Sequence, residues 1–112
     1  MSNSQPKRKP YRNRKLLDLA HKTTICKFRL QGCQIYCPDG CEPAHSNQSQ
    51  HGKGFGQKAD DDQHVASCPQ CHRLYDSNIL KYAEMCFDFG RINTFAYYHS
   101  QGWLEKVGYI HV

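Results

Sequence analysis

Two short runs, Ala44-His45 and Cys68-Pro69-Gln70-Cys71-His72, decide how this chain folds. Between them lies a polar stretch with Gly52-Lys53-Gly54-Phe55-Gly56-Gln57-Lys58 and then Asp60-Asp61-Asp62. Ser46 to Asp62 offers almost nothing apolar, so it cannot form a core element and reads as a loop. A polar loop of that length inside a small domain is either functional or disordered. Pro43-Ala44-His45 enters it as a short strand, and His64-Val65-Ala66 leaves it as another. Pro69 suits the first position of a helix, with Ser67 or Cys68 as the cap. On that helix His72 and Asp76 are four apart and share a face.

Cys68-x-x-Cys71 has the spacing with which two thiolates grip one zinc ion from a tight turn. A tetrahedral site needs two further ligands. Cys26 and Cys33 are the leading pair, Cys37 and Cys41 compete, and spacing alone leaves the choice open. The chain has 112 residues, 22% charged and 38% hydrophobic, which is one small domain with a limited core. Such a domain often needs a metal or disulfides. The first residues are polar and basic with no apolar run, so no export signal is expected. A cytoplasmic setting keeps thiols reduced, and the seven cysteines then favour metal over disulfides. Cys68-x-x-Cys71-His72 also matches a c-type haem attachment motif, a chemistry that normally needs export. No histidine pair follows at the spacing of a Cys2His2 finger, and Cys86 is most simply a core residue. No stretch is long and apolar enough to span a bilayer.

The flanks divide by charge. Residues 1–30 hold nine basic residues against Asp18 alone, and the remainder holds six basic against nine acidic. Residues 1–12 read as a basic disordered arm and 13–112 as a single domain. A basic arm beside a mildly acidic body suits a polyanion such as nucleic acid. Arg12, Arg14, Lys15, Lys27 and Arg29 are the candidates for backbone contact. In the loop, the amides of Gly54-x-Gly56 and the amine of Lys58 suit a phosphate. Contacts of this kind carry little sequence information, so low sequence specificity is expected. Leu16, Leu17, Leu19 and Ala20 suggest one or two helical turns. Thr24–Leu30 reads as a strand with Cys26, Phe28 and Leu30 on one face. Ile79, Tyr82, Ala83, Cys86 and Phe87 continue at helical spacing to a stop at Gly90. Ile92, Phe95, Ala96 and His99 mark another helix ending near Gly102. Trp103, Leu104, Val107, Tyr109 and Ile110 form an apolar tail. The class is α+β.

Taken together, Cys26-Lys27-Phe28-Arg29, Gly32-Cys33, Ala44-His45, Gly54-x-Gly56-x-Lys58-x-x-Asp61, Cys68-x-x-Cys71-His72 and Asp76 resemble a known family. It is the small prophage-encoded YbcO-like nucleases of the HNH superfamily, with the Ref-type phage recombination nucleases as looser relatives. The resemblance runs from about Arg12 to the C-terminus, including Gly102-Trp103-Leu104. It implies a zinc-stabilised ββα-metal (HNH, His-Me finger) core with C-terminal helices. It also implies a DNA endonuclease in the cytoplasm of a bacterial host, in company with a recombination protein. His45 matches the general base and His72 the metal-binding histidine. Two departures stand out: Ala44 occupies a position that is usually a ligand, and the middle Asn is missing. Asp61, with Asp62 adjacent, is nearest to that Asn. His72 and Asp61, with Asp76 third, are therefore expected to bind Mg²⁺ or Mn²⁺.

Histidine chemistry supports the assignment independently. An imidazole with an unperturbed pKa of about 6.5 can act as a base at neutral pH, and phosphodiester hydrolysis needs both an activated water and a cation. His51 and His64 are expected in loop or surface positions, Asp60 in a solvated charge run, and Tyr97, Tyr98, Trp103 and Tyr109 in the core. His21, His99 and His111 carry no motif, and no feature indicates the oligomeric state. The alternative function is a non-catalytic zinc module that binds nucleic acid.

Overall fold

The computed structural model describes residues 9–54 and 56–109. Lys7, Arg8, Phe55, Ile110, His111 and the first eight residues of the expected arm lie outside the described residues. The architecture is α+β, a two-stranded sheet with helices around it. Among the described residues, no helix is long and apolar enough to cross a membrane.

Helix α1 spans Arg14–His21. Asn13 caps it, its side chain accepting from the Leu16 N–H at 3.1 Å. Leu16, Leu17, Leu19 and Ala20 are buried, as their helical spacing requires. Just ahead of α1, Tyr11 is tied to the body. Asp60 accepts from the Tyr11 N–H at 3.2 Å, and the Tyr11 carbonyl accepts from the Asp61 N–H at 3.0 Å.

The expected strand over Thr24–Leu30 does not form. Only a bridge between Ile25 and Tyr36 is present. The left-handed backbone at Arg29 (φ 58°) and Gly32 (φ 79°) turns the chain back, so alternation of apolar residues here serves a loop rather than a sheet. The following turn needs Gly40. It has φ 98°, and a Cβ there would sit 2.1 Å from the His21 carbonyl oxygen.

Strand β1 (Glu42–His45) pairs antiparallel with β2 (His64–Ser67), with Ala44 opposite Val65 and His45 opposite His64. The residues between them include one 3-10 turn, Ser49–His51. Strand β2 is buried throughout because helices cover it, and α2 (Pro69–Asp76) follows it directly. Pro69 opens α2 and Cys68 is its cap, its sulfur accepting from the Cys71 N–H at 3.4 Å.

Gly90 was expected to end a helix but lies inside one. Helix α2 stops at Asp76, and α3 runs without interruption over Ala83–Ser100. The break falls earlier, where Asn78 and Tyr82 take left-handed backbone at φ 61° and 62°. Gly90 is where α3 crosses β2. A Cβ there would meet the Val65 methyls at 3.0 and 3.1 Å, so its missing side chain serves close packing. The short helix α4 (Trp103–Lys106) and the tail fold back, with Tyr109 against Tyr11 and Phe95. Two cores result. One gathers the cysteines, Ala44, Val65, Tyr75 and Phe87; the other gathers Leu16, Leu19, Phe95, Tyr98 and Leu104.

Candidate functional site

The turn at Arg29–Gly32 brings Cys26 and Cys33 to the knuckle. The sulfurs of Cys26, Cys33, Cys68 and Cys71 all lie within 4.8 Å of one another, an arrangement that could hold a metal ion. Each sulfur also accepts one backbone N–H. Phe28 donates to Cys26 (3.4 Å), Ile35 to Cys33 (3.3 Å), Cys71 to Cys68 (3.4 Å) and Leu30 to Cys71 (3.4 Å). Four inward sulfurs, each facing an N–H dipole, suit thiolates rather than thiols. The hydrogen bond between Cys26 and Cys71 lowers the pKa of Cys26 and raises that of Cys71, and burial raises that of Cys33, so a bound cation would be needed to draw all four to thiolates. Cys37 and Cys41, the competing pair, lie outside this group. The Cys41 thiol donates a hydrogen bond to the Cys37 sulfur at 3.1 Å, and burial raises both thiols.

A second set of residues lines a cleft of about 390 Å³, among them His45, Lys53, Lys58, His72, Asp76 and Asn78. The last residue of β1 supplies His45. Its Nε2 lies 3.0 Å from Asp61 Oδ1. A carboxylate only accepts, so Nε2 carries the hydrogen and Nδ1 keeps its lone pair. Among the described residues no group hydrogen-bonds to His45 Nδ1. Burial lowers the pKa of His45 and Asp61 opposes that shift, so the ring is neutral at neutral pH.

Asp61 was expected as a cation ligand beside His72, but it sits behind His45, its side chain 4% exposed. One oxygen faces His45 and Arg12, the latter at 3.7 Å; the other accepts from the Asn13 N–H at 2.8 Å. Both oxygens are thus engaged away from His72. Helix α2 presents His72 between two carboxylates, with Nδ1 2.8 Å from Glu42 Oε1 and Nε2 3.3 Å from Asp76 Oδ2. Ala44 is fully buried in the core, so the alternation of β1 points it away from the cleft.

The remaining candidates divide. Lys58 lines the cleft, and Arg14 and Lys15 are exposed on α1, with Arg14 3.4 Å from Asp18. Arg12 braces the loop instead, donating to the carbonyls of Ala59 (2.9 Å) and Lys58 (3.1 Å). Arg29 donates to the Cys26 carbonyl at 2.9 Å, and the Lys27 amine lies 4.2 Å from the Tyr97 ring centre. Asp60 is 7% exposed rather than solvated, because it accepts from Tyr11. His64 is fully buried rather than at the surface. His51 is half-buried, bonded to Ser46 Oγ at 2.8 Å.

Sequence reasoning missed Glu42, Lys53 and Asn78. Glu42 meets His72 only because β1 pairs in register next to α2, and no spacing signals that. Lys53 lies in the glycine-rich loop and could have been read with Lys58. A larger groove of about 550 Å³ between α3 and α4 is mainly apolar and holds none of the cleft residues. No family model matches this chain, and comparisons with curated proteins and with solved structures give no match.

Proposed function

We propose that this chain is a metal-dependent endonuclease of the HNH type that hydrolyses DNA phosphodiester bonds with His45 as general base. One observation carries the reading: a single cleft holds an Asp61-backed His45, the His72–Asp76 pair, and the amines of Lys53 and Lys58. The order strand, loop, strand, helix, with His45 on the first strand and His72 on the helix, supports the ββα-metal core that the motifs resemble.

His45 Nδ1 accepts the proton of the attacking water, while Nε2–H stays on Asp61, whose charge favours the imidazolium that forms. Lys53 and Lys58 draw the phosphate into the cleft, and exposed Arg14 and Lys15 extend the positive surface. His72 Nε2 and Asp76 Oδ2 are close enough to share one cation, with Glu42 orienting the ring through Nδ1. One carboxylate with one imidazole suits Mg²⁺ or Mn²⁺ completed by waters and substrate oxygens. The cation, when bound, supplies charge to the phosphate and the leaving 3′ oxygen. Zn²⁺ is the structural ion for the four cysteines, since four thiolates make a closed tetrahedral set. A prophage setting in a bacterial cytoplasm, a recombination partner and low sequence specificity belong to the same proposal.

The test is nicking of supercoiled plasmid with and without Mg²⁺ or Mn²⁺, wild type against His45→Ala, with zinc content matched. Cation-dependent nicking that His45→Ala abolishes is the expected result; equal nicking by the two proteins sinks the reading. One observation favours a second reading, a non-catalytic zinc module that binds nucleic acid: both ring nitrogens of His72 already have a carboxylate partner without a cation. Calorimetric titration with Mn²⁺ separates the two, because only the nuclease takes up an ion that His72→Ala removes.

A further inference from the structure

We propose that His64 and Tyr98 are positioning residues for His45, acting through Asp61. The inference rests on the reading of His45 as the base. His64 is fully buried and sits directly opposite His45 in the hairpin, the two rings 6.4 Å apart. Its Nδ1 lies 2.7 Å from the Asp61 main-chain oxygen, and its Nε2 lies 2.9 Å from the Tyr98 hydroxyl. A carbonyl only accepts, so Nδ1 carries the hydrogen. Burial in apolar surroundings holds the ring neutral. Nε2 is then an acceptor, and the Tyr98 hydroxyl donates to it. The chain is therefore directional: Tyr98 donates to His64, His64 donates to the Asp61 carbonyl, and the Asp61 carboxylate accepts from His45.

The turn that carries Asp61 is fixed on other sides too. Arg91 donates to the Asp62 carbonyl at 2.9 Å, and the Tyr109 hydroxyl donates to Asp62 Oδ2 at 3.2 Å. Among the described residues, only the Tyr98–His64 branch reaches Asp61 itself from the α3 side. Without Tyr98, Nε2 loses its donor inside the protein. The Nδ1–H tautomer persists, but the ring is then held by one bond instead of two, and its hold on the Asp61 carbonyl loosens.

The charged and titratable groups around His45 are Asp61, Lys58 and Arg12, with His64 across the hairpin and Lys53, His72 and Asp76 in the same cleft; those around His64 are Asp61, His45, Arg91 and Tyr98. Asp61 is the one that favours the imidazolium of His45. A loosened Asp61 therefore lowers the pH at which His45 titrates.

The test uses the full, metal-loaded chain. In the wild type, imidazole nitrogen shifts should show His64 as the Nδ1–H tautomer at neutral pH; the Nε2–H tautomer overturns the proposal without any variant. In Tyr98→Phe the NMR titration of His45 should move to lower pH. The acid limb of the nicking profile should move with it, and the rate should fall on the order of 10- to 100-fold. His64→Asn, whose amide nitrogen can sit where Nδ1 sits, should keep the wild-type His45 titration, whereas His64→Leu should not. A purely structural role lowers Tm in these variants and leaves the His45 titration in place; that outcome overturns the proposal. The titration reads out in a chain that cuts nothing, so failure of the nuclease reading is told apart from failure of this one.

Discussion

The cysteine centre and the histidine cleft lie on either side of α2 residue Cys71-His72, yet they are built on opposite plans. In the centre every sulfur turns inward and each meets a backbone N–H, so the loops are shaped by what they hold. In the cleft the groups stay partly open to solvent, and their orientation is set by neighbouring carboxylates, the buried Asp61 behind His45 and the partly exposed Glu42 beside His72. The difference teaches where each region is vulnerable. Removing a ligand from the centre removes structure. Removing a cleft side chain removes chemistry and leaves structure standing.

Stripping the metal proposed for the four cysteines, or changing Cys68→Ser, should therefore have the largest effect. Structural zinc in small domains contributes on the order of 10 kcal/mol, so loss of cooperative melting by circular dichroism is expected. A metal-free chain that melts like the loaded one would show that the four cysteines are only a core. His45→Ala should come next. General-base loss costs about 10²- to 10⁴-fold in rate, while Tm and zinc content stay near wild type. A large fall in Tm would erase the contrast between the regions.

Acidification separates the two more finely. Burial pushes His64 from its ordinary 6.5 down to about 4, so the folded state resists its protonation. An unfolded chain takes up that proton as pH falls below 6.5 and the native chain does not, so the contribution of His64 is complete above 6.5 and lost as pH drops toward about 4. Tm should decline across that window, and His64→Leu should flatten the decline. An equal slope in both proteins would place the acid sensitivity elsewhere. The smallest expected effect is that of Glu42→Gln. Altering a carboxylate that orients a ligand histidine weakens cation affinity about 10- to 100-fold, readable as a higher Mn²⁺ requirement with unchanged melting. An unchanged requirement would leave Glu42 without a role at His72.

What the residues disclosed and what they concealed follow the same divide. Cys68-x-x-Cys71, Pro69 at the head of a helix, and the two strands around a polar loop are local signals, and each is found where its chemistry puts it. The pairing of Cys26 and Cys33 with the knuckle was not decidable against Cys37 and Cys41, because left-handed backbone at Arg29 and Gly32 makes that choice and leaves no spacing rule. Alternation at Cys26, Phe28 and Leu30 imitates a strand for the same reason. Gly90 imitates a helix stop because close packing and termination both call for a missing side chain. Asp60 and His64 look like solvated polar residues and Asp61 like a cation ligand, and only the fold shows the backbone groups that let them be buried.

Asn13 ties three distant points together. It caps α1, its N–H holds Asp61, and its side-chain amide donates to the Val107 carbonyl at 3.0 Å. The support behind His45 thus draws on residues from both ends of the described chain, whereas the last cysteine of the metal centre is Cys71. The four cysteines can therefore come together once Cys71 is made, whereas the bond that steadies the Asn13 side chain waits for Val107. For the nuclease proposed above, completion of the cleft would lag behind completion of the cysteine cluster.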